Sequence, residues 1–169
     1  MTLNEINALD EDRFVALLGG IFEHSPWVAQ RVAGGRPFAT VDALHRAMVA
    51  EVEHASADER LAFLRAHPEL AGRAAVRDEL TPDSKREQAG AGLSECSPDE
   101  FARLTELNAR YLARFRFPFI LAVKGYDRAG IIDEFARRVD NDPDDELAEA
   151  MAQIARITRF RLDALIAAG

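Results

Sequence analysis

His67 is the side chain in this sequence best suited to moving a proton. An imidazole titrates near neutral pH. This one stands at the end of an apolar-periodic helix and directly before Pro68, which biases His67 toward extended geometry. Such a turn can aim the ring inward; the competing explanation is a C-terminal histidine that only meets the helix dipole. A second group, Ser84-Lys85-Arg86-Glu87-Gln88, leads into Ala89-Gly90-Ala91-Gly92-Leu93. Ser84 and Glu87 have the spacing of a capping box, which would occupy the Glu87 carboxylate. Alternatively, the N–H groups of a helix start suit an anion, with Glu87 and Gln88 placed to hydrogen-bond a ligand. Arg161 falls on the apolar stripe of the last helix, with Ile154 and Ile157. It either snorkels to the edge or pairs with an anion inside, as the local cation an acidic protein needs for an anionic substrate.

The remaining histidines, His24, His45 and His54, have no metal-ligand spacing, and each reads as a solvated or capping residue. A metal hydrolase using the four histidines is one competing reading; full activity in excess chelator would eliminate it. Gly19-Gly20 and Gly34-Gly35 are helix-end and turn glycines rather than a nucleotide-binding loop. A serine nucleophile elbow is absent as well.

The charge balance narrows the partners. The chain of 169 residues carries 21 basic and 29 acidic side chains, a net charge of -8. Nucleic acid and anionic membrane surfaces are disfavoured, since both need clustered positive charge. Cys96 is the only cysteine, so no intrachain disulfide can form, which fits a reducing, cytoplasmic setting. Met1 to Asp10 lacks the basic and apolar regions of a secretory signal, and no apolar run reaches membrane-spanning length.

The elements that must position these residues are helical. Phe14, Leu17, Leu18 and Ile21 follow an acidic start at Asp10 to Asp12, and Thr40 caps a helix burying Val41, Leu44, Met48 and Val52. Ser56…Glu59 and Ser97…Glu100 are capping boxes. The first opens a helix ending near Ala66; the second opens one that buries Phe101, Leu104, Leu107, Tyr111 and Phe115. Ile131, Ile132, Phe135 and Val139 mark a shorter helix, and a long one runs from about Asp144 to Ala168. His67 to Ser84 is rich in turn residues. Phe117-Pro-Phe-Ile-Leu-Ala-Val123 is a short apolar run that cannot form a sheet alone, and is expected to be buried extended chain. The expectation is an all-α, single-domain bundle over 1–169, with about eight or nine helices and one buried extended segment.

Taken in order, His67-Pro68-Glu69-Leu70, Ser84…Glu87-Gln88 with Ala91-Gly92-Leu93, Asn108…Tyr111, Phe115-Arg-Phe-Pro-Phe-Ile120 and Val123-Lys-Gly125 form a pattern. It resembles the 2-oxo-4-hydroxy-4-carboxy-5-ureidoimidazoline (OHCU) decarboxylases. Arg137-Arg138…Asn141, Glu146…Ala150 and Ile157…Arg161-Leu162 fit as well. The departure is Arg116, where the family usually has Gly. The resemblance implies an all-α homodimer without metal or organic cofactor. It implies decarboxylation of OHCU, a small anionic substrate, to (S)-allantoin in urate breakdown. It makes His67 the acid/base, with Glu87 orienting it or bonding the substrate, and Pro68 part of the pocket wall. Ser84, Lys85, Arg86, Glu87 and Gln88 would contact the ring and ureido group. Phe119, Ile120, Leu121, Ala122 and Val123 would supply main-chain hydrogen bonds, and Arg161 would hold an anionic group. An inactive helical interaction module on the same scaffold is the alternative.

Overall fold

A computed structural model describes residues 1–72 and 79–167. The described residues are helices, two 3-10 turns and connecting chain. In order the helices are α1 (Leu3–Asn7), α2 (Glu11–Leu18), α3 (Pro26–Val32), α4 (Val41–Glu53), α5 (Ala57–Arg65), α6 (Pro82–Gly90), α7 (Pro98–Phe115), α8 (Arg128–Arg138) and α9 (Pro143–Ala167). The all-α expectation is met. The chain falls into two compact units, Met1–Ala66 with Ala155–Gly169, and His67–Ile154. Residues 73–78 of the turn-rich stretch, and Ala168 at the expected end of the last helix, lie outside the described residues.

In the first unit, local chemistry sets the helix ends. Asp10 and Thr40 accept from backbone N–H groups of Arg13 and Ala43, and Ser56 and Glu59 form the expected reciprocal box. Thr2 and Glu5 form a further box at α1, a helix the periodicity was too short to show. The buried side is apolar: Ile6, Phe14, Leu18, Phe22, Val28, Leu44, Met48, Val52, Phe63, Leu64 and Leu162. His45 departs from the solvated reading. It is half-buried, and its Nε2 lies 3.0 Å from Thr158 Oγ1. Burial, then the nearby Arg159 cation, hold its pKa below the usual value.

In the second unit, α7 is held by the Ser97 and Glu100 box with Pro98 in its first turn. Leu104, Leu107, Tyr111 and Phe115 are buried as expected, but Phe101 is 42% exposed. Helix α7 ends at Arg116, which adopts φ 65°, ψ 15°. This is the left-handed cap conformation that glycine takes without steric cost. Arginine at this position holds it at roughly 1 kcal/mol of strain. Phe117 to Val123 follow as buried, non-helical chain, as the apolar run predicted. Phe119 stacks on Phe135 of α8 at 3.8 Å between centroids, and Tyr111 meets both rings edge-on.

Candidate active site

The sequence places Ser84 at a helix start, and the structure corrects this. Thr81 is the N-cap, Pro82 occupies the first turn, and Ser84 donates its backbone N–H to Thr81 Oγ1 at 3.3 Å. Thr-Pro-Asp, read as a turn, is the helix entrance: the threonine hydroxyl satisfies a free N–H, and proline has none to lose. Ser84 and Glu87 therefore do not form the capping box of this helix start. One face of α6 carries buried Ser84, Gln88 and Ala91 with half-buried Glu87. Lys85 and Arg86 point to solvent, and Arg86 pairs with Asp83 on the same helix.

His67 lies in a bend just past Ala66, the C-cap of α5, and both His67 and Pro68 are half-buried. The chain that follows is tied to two helices. Gln88 Oε1 accepts from the Ala71 N–H at 3.0 Å, and its Nε2 donates to the Glu69 carbonyl at 3.4 Å. Asn108 Nδ2 of α7 donates to the Leu70 carbonyl at 2.9 Å. Ala71 has a positive φ of 49°, which these bonds help to hold. Gln88 thus anchors α6, next to Glu87, to chain two residues beyond His67. Its amide works on the protein's own backbone, which the sequence did not foresee.

The 117–123 segment is held at two backbone groups. Arg138 Nη1 donates to the Ile120 carbonyl at 2.9 Å, and Gln153 Oε1 accepts from the Ala122 N–H at 2.9 Å. Arg138 is itself fully buried. Its Nε and Nη2 reach Glu146 Oε1 at 3.0 and 2.6 Å, and its guanidinium lies 4.5 Å from the centre of the Phe119 ring. Tyr111 Oη donates to the same Glu146 oxygen at 2.6 Å, and Asn141 Nδ2 donates to the other at 2.9 Å. Burial, and then the carboxylate beside it, push the Tyr111 hydroxyl far above its ordinary pKa, so it remains a donor.

Arg161 belongs to the other compact unit. It does not snorkel: it is buried, and Nη1 donates to Glu23 Oε2 at 2.7 Å, with Glu23 only 2% exposed. Its anion inside includes a carboxylate of the protein, 138 residues away in sequence. Glu23 and Gln153 are the residues sequence reasoning missed. Gln153 had a faint signal, as a polar residue beside the apolar stripe of α9; Glu23 had none. Among the described residues, no group of three or more His, Cys, Asp or Glu could hold a metal ion.

The described residues combine a half-buried histidine turn, a helix face of Ser, Glu and Gln, and a buried non-helical segment held by Arg138 and Gln153; these are groups of the kind that can move a proton on a small polar molecule. The family model described as OHCU decarboxylase matches residues 7–163. The chain belongs to that family. It is 42% identical to the 2-oxo-4-hydroxy-4-carboxy-5-ureidoimidazoline decarboxylase of Haloferax volcanii, covering 96% of this chain and 94% of that one. It is 38% identical to the protein of the same name from Mus musculus, over 99% and 94%. Among solved structures, it is similar to an (S)-allantoin synthase, with a TM-score of 0.79 and 28% identity, covering 98% of this chain and 54% of that one.

Proposed function

We propose that this protein decarboxylates OHCU to (S)-allantoin and CO2 in urate degradation, and that residues 7–163, which span both compact units, act as one functional domain. The observation that carries the reading is the bonding of Gln88 to Glu69 and Ala71. It ties the chain just past His67 to the helix that carries Glu87, which supports a shared site for the two.

The chemistry asks little beyond what these residues offer. Breaking the bond to the carboxylate releases CO2 and leaves an electron pair that the conjugated imidazolone can delocalise. The pair forms a C4–C5 enol; as the 4-hydroxyl gives up its proton and becomes the ring carbonyl, one proton must reach C5, the carbon carrying the ureido group, from one face. His67 is assigned the proton transfer. Glu87 orients it or bonds the ureido group, Ser84 and the 119–123 backbone hold the ring, and Pro68 shapes the wall. Fixed dipoles at the ring oxygens stabilise the developing charge without reorganising. Incubation with freshly generated OHCU, followed by circular dichroism, is expected to show one enantiomer forming faster than in buffer. Racemic product at the uncatalysed rate would sink the proposal and favour the inactive scaffold.

Arg161 is proposed to bind an anionic group of the substrate while Glu23 holds one side of its guanidinium. A charge-assisted bond contributes about 1.5–3 kcal/mol, so Arg161→Ala is expected to raise KM roughly 10- to 100-fold. Because the single change strands a buried carboxylate, Arg161→Ala/Glu23→Gln should be measured beside it. An unchanged KM in a folded variant would count against the anion role.

We take the protein to be a cytoplasmic homodimer acting on this small anionic substrate without cofactor. Among the described residues no helix is long and apolar enough to cross a membrane.

A further inference from the structure

The grip on the 117–123 segment has a directional consequence. In extended chain, the N–H and C=O of one residue point to one edge, and those of the next residue to the other. Taking residues 120–122 as extended puts the Ile120 carbonyl, bonded by Arg138, and the Ala122 N–H, bonded by Gln153, on one edge. The peptide groups of Leu121 therefore face the opposite edge. Leu121 is 3% exposed, and its N–H and C=O have no hydrogen-bond partner among the described residues. Buried backbone groups are nearly always paired, and leaving one unpaired costs about 1–3 kcal/mol. A donor and an acceptor side by side on one edge match a cyclic ureide, whose ring presents an adjacent N–H and C=O.

We infer that Arg138 and Gln153 are positioning residues: they hold one edge of residues 120–122 so that the N–H and C=O of Leu121 form a two-point contact with the ureide edge of the substrate. This rests on the proposed reaction and narrows it to one backbone residue and two side chains that never touch the ligand. Arg138 is fixed by the Glu146 carboxylate. Gln153 is fixed by its own Nε2, which donates to Glu149 Oε1 at 2.6 Å. Both acceptor and donor on the held edge are thus locked from behind.

Gln153→Leu removes the acceptor at nearly constant volume. The exchange Gln153→Glu/Glu149→Gln restores an acceptor at position 153 while keeping the local charge. In the full-length protein, the leucine variant is expected to raise KM for OHCU and Kd for allantoin about tenfold, the effect of losing roughly one hydrogen bond's worth of alignment. It is also expected to lower the enantiomeric purity of the product. The exchange variant should recover all three to within about threefold. Gln153→Ser, which leaves room for water at the Ala122 N–H, carries the same expectation and serves if the leucine variant does not fold. A reduced Tm with unchanged KM, Kd and enantiomeric purity would show a merely structural residue and overturn the inference while leaving the reaction standing. Failure of the exchange to restore binding would also overturn it. If the unmodified protein does not turn over OHCU, the reading beneath the inference fails first, and the allantoin Kd alone would not rescue it.

Discussion

Replacing His67 with alanine is expected to lower turnover of OHCU by about 10²- to 10⁴-fold, the range that positioned proton transfer supplies. The fold should survive. His67 lies in a bend outside the helices and is half-buried, and the bonds that hold the following chain come from Gln88 and Asn108 to the backbone of residues 69–71. None of them uses the imidazole. Far-ultraviolet circular dichroism of His67→Ala should therefore match the unmodified protein while the rate collapses. The stereochemical outcome separates the two steps. If His67 delivers the proton, whatever residual allantoin forms should approach a racemate, because protonation then falls to solvent. A variant keeping most of its rate and its enantiomeric purity would place the acid/base elsewhere, with Glu87 the next group to test.

The largest stability effect is expected at Glu146. Its carboxylate, fully buried, receives two bonds from Arg138, one from Tyr111 and one from Asn141. Glu146→Ala would leave the Arg138 cation in the interior with the Ile120 carbonyl and the Phe119 ring as its described partners. Breaking a buried pair from one side costs about 3–5 kcal/mol, a large share of the roughly 5–15 kcal/mol that a domain has. Urea unfolding should show a midpoint shifted down by that amount divided by the unfolding slope. The double variant Arg138→Met/Glu146→Leu should recover much of the loss, since no charge is then stranded. It should not recover binding, because the Ile120 carbonyl would lose its donor. Equal destabilisation of single and double variants would mean that the network matters through its shape rather than its charge.

The helices were legible because their signals are local. A capping hydroxyl and its N–H lie three residues apart, and an apolar stripe repeats within two turns. Ser56, Ser97 and Thr40 were read correctly on that basis. Ser84 was not, because Thr81 offered an equally good cap three residues earlier, and Pro82 decided between them. The buried, non-helical segment was legible from one short apolar run. Arg116 shows the same local logic in reverse: a position where relatives of the resembled family favour glycine is one where the backbone takes a positive φ.

By itself, the sequence determined the helical class, most helix ends, the ordered motif set that marks the family, and the candidates His67, Glu87 and Arg161. What it left open was how each polar side chain is used. Gln88 bonds chain 17 residues away, Gln153 bonds chain 31 residues away, and Arg161 meets a carboxylate 138 residues away. Those partners are chosen by packing, which brings distant backbone into reach, and no periodicity encodes it. Periodicity put Arg161 on the apolar stripe and left snorkelling and internal pairing both open; the tertiary structure decided for pairing and supplied Glu23. The apolar run marked residues 117–123 as buried, and only the tertiary structure supplied Arg138 and Gln153 as partners of the Ile120 carbonyl and the Ala122 N–H.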